Sequence, residues 1–513
     1  LQNYTYGTPY PNHPLLTLTQ WNGALQPTTL LTIEYSAYIY NAQGSAGGDD
    51  IGGNDSWNIL QGDPTDVYGG NDWLRGFAGN DTIYGVGGSD LIEGGDNNDQ
   101  LYGDWDTEAQ DQGNFGTGDD TVDGGAGDDS IWSDAGQNVL IGGQHRDTVI
   151  YSGFFDTGVT YYHAVINLQA GTAAVSATDT YSGDEYQVAS DSLSGFEHVL
   201  GTDGDDIIIG YAAEPYSGAW ISLDGRYGND SLVGGTGGED LMGGAGNDTL
   251  VCGDVAGARA LGDYLAGGAG NDTYVLTADA IIDEYNYGGG GVDTLVLGYA
   301  ATDFALLEGA LEHLVMQTGA GAAPVTGNTA ANSMTGNSFG NWMSGLAGAD
   351  TLTGGNGADS LYGGLNRDTL WGGNGNDVVA GGGDHDYLSG GAGNDTLNGS
   401  SGNDTLVGNT GRDFMTGGVG RDLFVFKNGA DGGTGTAADR ITDFVSGEDR
   451  ISLKDVCRAD YFIGPDVFGG RAGEWRYLDT TGQLQADIDG NGRADFVVNL
   501  GAGTVLLASD LIL

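Results

Sequence analysis

The chain has 513 residues, 99 of them glycine, and carries 72 Asp and Glu against 15 Lys and Arg, a formal net charge of -57. That much glycine excludes a helical bundle, since each glycine costs a helix roughly 1 kcal/mol. The lack of a basic field speaks against nucleic-acid binding. With 39% hydrophobic and 10% aromatic residues, the chain is too apolar for a self-repelling disordered tail. Asp outnumbers Glu by 60 to 12, which points to turns or oxygen-ligand metal sites rather than to helical surface charge.

Residues 1–66 read as a strand-rich arm or cap with no repeat. Tyr4, Tyr6 and Tyr10 alternate with polar residues, and Thr32 to Tyr40 is the clearest strand. Such a segment is too short for a core of its own. It either caps the adjoining part of the chain or adds its strands to a neighbouring molecule, making self-association an expected partnership. The chain starts at Leu1 with no charged n-region and apolar h-region after it, so the expectation is a processed start or export without a cleavable signal. No apolar run approaches the roughly 18 residues of a membrane span, so no transmembrane segment is expected.

From Val67 onward the chain is organised in blocks of nine. Four blocks fill 67–102, with Asp72, Asp81, Asp90 and Asp99 at position six. Four more, from Phe115, carry Asp120, Asp129, Asn138 and Asp147, so 67–150 is expected to form a first roll. Residues 151–200 break the period and read as a β insert, with Ala164 to Leu168 alternating as a strand. Blocks return within 201–275, an interrupted second roll, with Asp206, Asp230, Glu239, Asp248, Asp263 and Asp272 at position six. Residues 276–326 form a second insert, and both inserts are expected to flank or cap the rolls. The third roll, 327–425, contains eleven consecutive blocks. Asn332 and Asn341 open it at position six, followed by Asp350, Asp359, Asp368, Asp377, Asp386, Asp395, Asp404, Asp413 and Asp422. In all twenty-five blocks position eight is large and apolar.

The physics of one block explains its composition. Glycine-rich turns reach φ > 0 and bring backbone carbonyls close together. The last three residues alternate polar, apolar, polar, a short strand with one buried face. A strand that short needs neighbours, so successive turns stack, and two blocks complete one coil of a parallel β-roll. Stacking then sets an Asp at every step along each edge. Such a file of carboxylates repels itself unless a hard dication with six to eight oxygen ligands compensates it. Ca²⁺ suits such a site better than Mg²⁺, which demands tight octahedral geometry.

These blocks resemble the G-G-x-G-x-D-x-U-x nonapeptide of repeats-in-toxin (RTX) proteins, a calcium-binding β-helix repeat. The resemblance implies multiple Ca²⁺ ions held by carbonyls of positions one to four and by the position-six Asp, shared between turns. In this chain that maps onto Gly355, Gly357 and Asp359, onto Gly373, Gly375 and Asp377 one coil later, and onto Gly391, Gly393 and Asp395 after that. It further implies a protein unfolded without calcium, which the charge of -57 independently favours. The expected fold is all-β: tandem parallel β-rolls (RTX β-solenoids), intervening β inserts and a β-sandwich-like C-terminal cap.

Residues 426–513 carry a second resemblance. Asp439 to Phe444, Asp449 to Leu453 and Asp495 to Val498 are similar to the C-terminal domain of serralysin-type secreted metalloproteases, and the ending Asp510 to Leu513 looks like their type I secretion signal. The resemblance implies a type I secretion apparatus as partner and an extracellular or cell-surface location in a Gram-negative bacterium. Within this segment Asp487, Asp489, Asn491 and Asp495 follow D-x-D-G-N-G-x-x-D, alternating oxygen ligands round a glycine turn that suits Ca²⁺. It lacks the final Glu of an EF-hand, and a plain Asp-rich turn is the other reading.

No catalytic site emerges. The six histidines are never closer than eighteen residues, so the H-E-x-x-H zinc helix of serralysins is absent. His385, between two Asp residues, reads as a solvated loop residue. Cys252 and Cys457 are either unpaired thiols or one long-range bridge. The functional expectation is a non-enzymatic structural subunit of a surface layer, filament or matrix that needs calcium to fold and assemble. A calcium-dependent adhesin or glycan-binding module, with cell-surface polysaccharide as partner, is the alternative. A polysaccharide-modifying enzyme is the third reading, and an ice binder is disfavoured because Gly-Thr-Gly does not recur in register.

Overall fold

The computed structural model describes the chain apart from residues 1–3, 8–14, 19–29, 33–40, 45–46, 64–68, 105–117, 152–158, 180–184, 212–219, 236, 254–262, 278–279, 284–289, 300–303, 306–310, 430, 457–460 and 513. Among the described residues there is no α-helix, and the chain divides into two compact units, Leu1–Gly291 and Val292–Leu513. Among the described residues no helix is long and apolar enough to cross a membrane.

Each unit is built on a coil of short strands, most of which pair in parallel with the next strand but one. In the first unit one ladder runs through Asn41–Gln43, Ile59–Gln61, Thr82–Tyr84, Gln100–Tyr102, Ser130–Trp132 and Thr148–Ile150. The facing ladder runs through Leu30–Thr32, Asp50–Gly52, Trp73–Ala78, Leu91–Asp96, Thr121–Ala126 and Val139–Gln144. The register puts apolar residue over apolar residue, for example Leu74, Ile92, Val122 and Leu140 in one column. Every position-eight side chain of the twenty-five blocks is buried. Most flanking residues at positions seven and nine are partly or fully exposed, as the two-residue alternation of a strand requires, with Ile150, Ala266, Ser389 and Val407 buried. The core is therefore a pair of internal apolar columns, each made from one residue per coil.

The roll begins earlier than the sequence suggests. Residues 44–61 hold two further blocks, with Asp49 and Asn58 at position six and Ile51 and Leu60 at position eight, all four buried. The described strands of the N-terminal arm lie on this end of the same chain. Tyr4–Gly7 pairs antiparallel with Leu15–Leu18, which pairs in parallel with Asn41–Gln43. Tyr10 and residues 33–40, where the clearest strand was expected, lie outside the described residues.

The first insert is spliced into the stack and does not flank it. Val159–Asn167, Thr172–Asp179 and Glu185–Ser194 form an antiparallel meander. Its last strand pairs in parallel with Val139–Gln144 and its first with Ile207–Ile209. Three strands thus replace one on this face. On the other face Thr148–Ile150 passes directly to His198–Leu200 and then to Ile221–Tyr227.

In the second unit, residues expected to belong to the second insert supply coils of the same kind. Thr294–Leu297 pairs with His313–Met316, and that strand with Ser333–Thr335. Pro324–Thr326 pairs with Trp342–Ala347. Beyond Val425 the coil continues through Asp439–Ile441 and Arg450–Ser452. It ends with Leu511–Ile512 on one ladder and with the antiparallel strands Glu474–Leu478, Gln483–Asp487 and Phe496–Asn499 on the other.

Candidate metal centre

Each turn is built by glycine at the places where no side chain fits. Gly355 and Gly357 have φ of +104° and +121°, and Gly373 and Gly375 repeat this at +110° and +151°. A Cβ on Gly373 would stand 2.1 Å from the Gly355 carbonyl oxygen, and one on Gly375 would stand 1.3 Å from that of Gly357. Gly391 and Gly393 meet the carbonyls of Gly373 and Gly375 in the same way, at 1.9 and 1.5 Å. Where glycine holds these positions, the carbonyls of one turn rest against bare Cα atoms of the next; in other turns Leu346, Asn366, Asp384, Ser400 and Asn409 take the positive φ.

The position-six Asp follows the turn. Its backbone N–H donates to Oδ1 of the position-six residue one coil later. Along one edge of the second unit, Asp350 donates to Asp368 at 2.9 Å, Asp368 to Asp386 at 2.9 Å, Asp386 to Asp404 at 2.8 Å and Asp404 to Asp422 at 2.9 Å. Along the other, Asp359 donates to Asp377, Asp377 to Asp395 and Asp395 to Asp413. Both files run past the expected end of the roll. Asp413 donates to Asp439 and Asp422 to Asp449, two acids that the nonapeptide frame does not reach.

Each of these carboxylates leaves Oδ2 buried with no protein partner, from Asp350 through Asp422 and on to Asp439. The orphaned oxygens line a small cradle. Above Gly354, the point where a Cβ would stand is 2.4 Å from Asp359 Oδ2 and 2.6 Å from the Gly372 carbonyl oxygen. Above Gly372 the corresponding neighbours are Asp377 Oδ2 and the Gly390 carbonyl, both at 2.5 Å. At these two points the carbonyl beside the orphaned oxygen belongs to position one, within the one-to-four span that the resemblance implies. Burial pushes the carboxyls up, Asp368 and Asp386 to about 7 and Asp439 to about 8, against an ordinary 3.8. Among the described residues the ion pairs are Arg75–Asp50, Arg226–Asp203 and His163–Glu185, none of them involving a position-six acid. Buried anionic oxygens and glycine carbonyls without a cationic side chain are the donor set of a hard cation such as Ca²⁺. They fit that ion, and the position-six Asp with position-one carbonyls would hold it.

The first unit repeats the arrangement. On one edge Asp49 donates to Asp72, Asp72 to Asp90, Asp90 to Asp120 and Asp120 to Asn138. On the other Asn58 donates to Asp81, followed by Asp99, Asp129 and Asp147, and Glu197 completes the file. Asp206, Asp230, Asp248 and Asp272 continue in one series, and Asp263 accepts from Glu239. The neutral exceptions behave differently. Asn341 Oδ1 accepts from Asn337 N–H, and Asn341 Nδ2 donates to Asn337 Oδ1 and to the Gly321 carbonyl. Asn332 does the same with Asn328. A carboxamide at the start of a file supplies its own donors and leaves no anionic oxygen to compensate.

The C-terminal loop brings one carboxylate oxygen from each of Asp487, Asp489 and Asp495 within 4.8 Å of the others. Here both oxygens of Asp487 accept backbone N–H groups, from Gly490 and Gly492, and Asn491 Nδ2 donates to Asp489. The loop is self-satisfied in a way the ladders are not. His385 Nδ1 accepts from Asn403 N–H at 2.8 Å in an exposed row. Cys252 is buried beside Thr277, whose N–H donates to its sulfur at 3.0 Å, and Cys457 lies outside the described residues.

Comparison with known proteins agrees with this geometry. The family model described as peptidase M10 serralysin C terminal matches residues 188–513. The model for the RTX calcium-binding nonapeptide repeat matches 67–92, 75–107 and 116–149. These repeats imply multiple Ca²⁺ ions in the chain. Among curated proteins there is no significant match. Among solved structures, the AlgE6R3 subunit of the Azotobacter vinelandii mannuronan C5-epimerase is similar at 25% identity over 33% of this chain and 82% of that one, with a TM-score of 0.21. A hyperactive, Ca²⁺-dependent, β-helical antifreeze protein from an Antarctic bacterium is similar at 15% identity over 77% of this chain and 86% of that one, with a TM-score of 0.13.

Proposed function

The chain belongs to the peptidase M10 serralysin C-terminal family, and from that premise we propose that it is a secreted, non-enzymatic structural subunit of an extracellular layer, filament or matrix. In this reading calcium both folds the chain and licenses its assembly. Export by a type I apparatus places it outside a Gram-negative cell. Until calcium is met, the mutually repelling carboxylates keep the rolls open. The position-six acids named above, with the position-one carbonyls, are the proposed ligands.

One observation carries the assembly part. The outer face of the ladder in the second unit exposes a run of large apolar side chains: Trp342, Leu346, Tyr362 and Leu365 on adjoining strands, with Val378 and Val419 further along the ladder. The Trp342 and Tyr362 rings sit 5.6 Å apart. Apolar side chains grouped on an otherwise polar surface mark contact sites rather than solvated faces. The test is negative-stain electron microscopy in millimolar calcium and again in excess EGTA. Ordered filaments or sheets that vanish in EGTA support the reading. Dispersed particles in calcium would overturn assembly and leave the face as a candidate glycan-binding surface.

A further inference from the structure

Three buried acids of the first unit, Asp63, Asp104 and Asp134, stand off position six, each at the second place of a block. Asp104 and Asp134 occupy block position two, where many other blocks carry glycine, as at Gly95, Gly125 and Gly143. Both are buried, on the same edge as Asp90 and Asp120. One carboxylate oxygen from each of Asp90, Asp104 and Asp120 lies within 4.8 Å of the others. Asp134 joins them over Gly103. The point where a Cβ on that glycine would stand is 2.3 Å from Asp120 Oδ2 and 2.4 Å from Asp134 Oδ2. Four carboxyl groups converge, and among the described residues no ion pair involves any of them.

A second observation points to a ligand. Oδ2 of Asp90 and Oδ2 of Asp120 are buried without a hydrogen-bond partner, on residues 3% and 1% exposed. The other oxygens are held in place by donors that fix them without neutralising them. Gly87 and Gly118 N–H each reach Asp104 at 2.7 Å, while Asp104 N–H and Asn138 Nδ2 reach Asp134 at 2.7 and 3.0 Å. Elsewhere along the ladders, apart from Asp63 beside Asp72, a coil adds at most one carboxylate per edge. Here the off-frame acids double that number, and the count of charged ligands is what tightens a calcium site.

We propose that Asp104 and Asp134 join the position-six acids Asp90 and Asp120 in one carboxylate-rich site for a hard cation of the calcium class, filled at lower free calcium than the other cradles of the repeat. The inference rests on the calcium reading of the repeats and adds to it two ligands off the motif and an order of filling. The first ion bound orders this edge, and the remaining coils take theirs afterwards.

The test is equilibrium dialysis of the full chain against stepped free Ca²⁺ concentrations, with bound calcium read by mass spectrometry. Three chains are compared: wild type, Asp104→Asn with Asp134→Asn, and Asp104→Gly with Asp134→Gly, which restores the usual position-two residue. Wild type should show one ion at a free calcium at least tenfold below that which fills the rest. In both variants that ion should bind no more tightly than the rest, and the wild-type circular dichroism signal should be reached in millimolar calcium. A wild type with one uniform class of ions, or variants that keep the tight ion, would overturn the proposal while leaving the repeat sites standing. A wild type that binds no calcium at any concentration would overturn both.

Discussion

The backbone N–H of Asp359 donates to Oδ1 of Asp377 at 2.8 Å, and Oδ2 of that same Asp377 is buried without a protein partner. One carboxylate thus does two unlike jobs. Its first oxygen registers the coil before it, and its second is left for a cation. Without the cation the register is kept only at the expense of a buried charge.

That division sets a pH dependence whose sign reverses with calcium. In calcium-free protein, burial raises the ladder carboxyls above their ordinary 3.8, Asp395 to about 6, Asp81 to about 7 and Asp90 to about 9. A group raised in the folded state favours folding below its unfolded value and loses that contribution as pH rises through the folded one. Calcium-free chain should therefore show β signal near pH 4 and lose it between about pH 6 and 9. In millimolar calcium the signal should hold at pH 8 and weaken on acidification, as protons displace the ion. Circular dichroism across pH in the two conditions checks this, and parallel curves would contradict it.

Gly375→Ala should break the stack locally. The added methyl would stand 1.3 Å from the Gly357 carbonyl oxygen, at a φ of +151°. Overpacking of this kind costs on the order of 3 kcal/mol or more when backbone has to move. The midpoint of calcium-induced folding should shift to higher calcium. Gly435→Ala is the contrast, because φ there is +61° but nothing lies within 4 Å of the added methyl; a much smaller shift is expected.

Leu388→Ala tests the internal column. Leu388 is fully buried and sits in register with Leu370 and Leu406. Truncation should destabilise the calcium-bound fold by about 2–5 kcal/mol, read by denaturant unfolding in saturating calcium. Calcium stoichiometry should not change, because no ligand is touched.

Lengthening the hairpin between Val159–Asn167 and Thr172–Asp179 should be silent. Gln169 and Ala170 are exposed at its tip, and such tips tolerate insertion. Four Gly/Ser residues placed between them should leave the folding midpoint and bound calcium unaltered. A loss of either would show that the meander's turn takes part in the stack.

Much of this was legible because it repeats. Position eight declares the core and position six the acid ladder without any long-range information. The opening blocks at Asp49 and Asn58 were harder to see, since residues 62–66 put the frame out of phase and Asn58 lacks the acid. Asp439 and Asp449 were invisible for the same reason, lying 26 and 27 residues beyond their hydrogen-bond partners in place of 18. The site of the first insert depends on pairing between Leu140 and Leu193, which no local pattern records. Asp104 and Asp134 carry only a faint signal, an acid where the block expects glycine.

The spliced meander has one more consequence. The rung that normally links residues 18 apart links Asn138 to Asp191, 53 apart, and Asp147 to Glu197, 50 apart. What the architecture conserves is the rung, not the length of chain between rungs. A lineage built this way can lengthen by accepting foreign segments mid-array, provided each segment returns an acid to the edge and an aliphatic residue to the column. The array is thus open to acquisition at any coil, and a new surface can be added without founding a new fold.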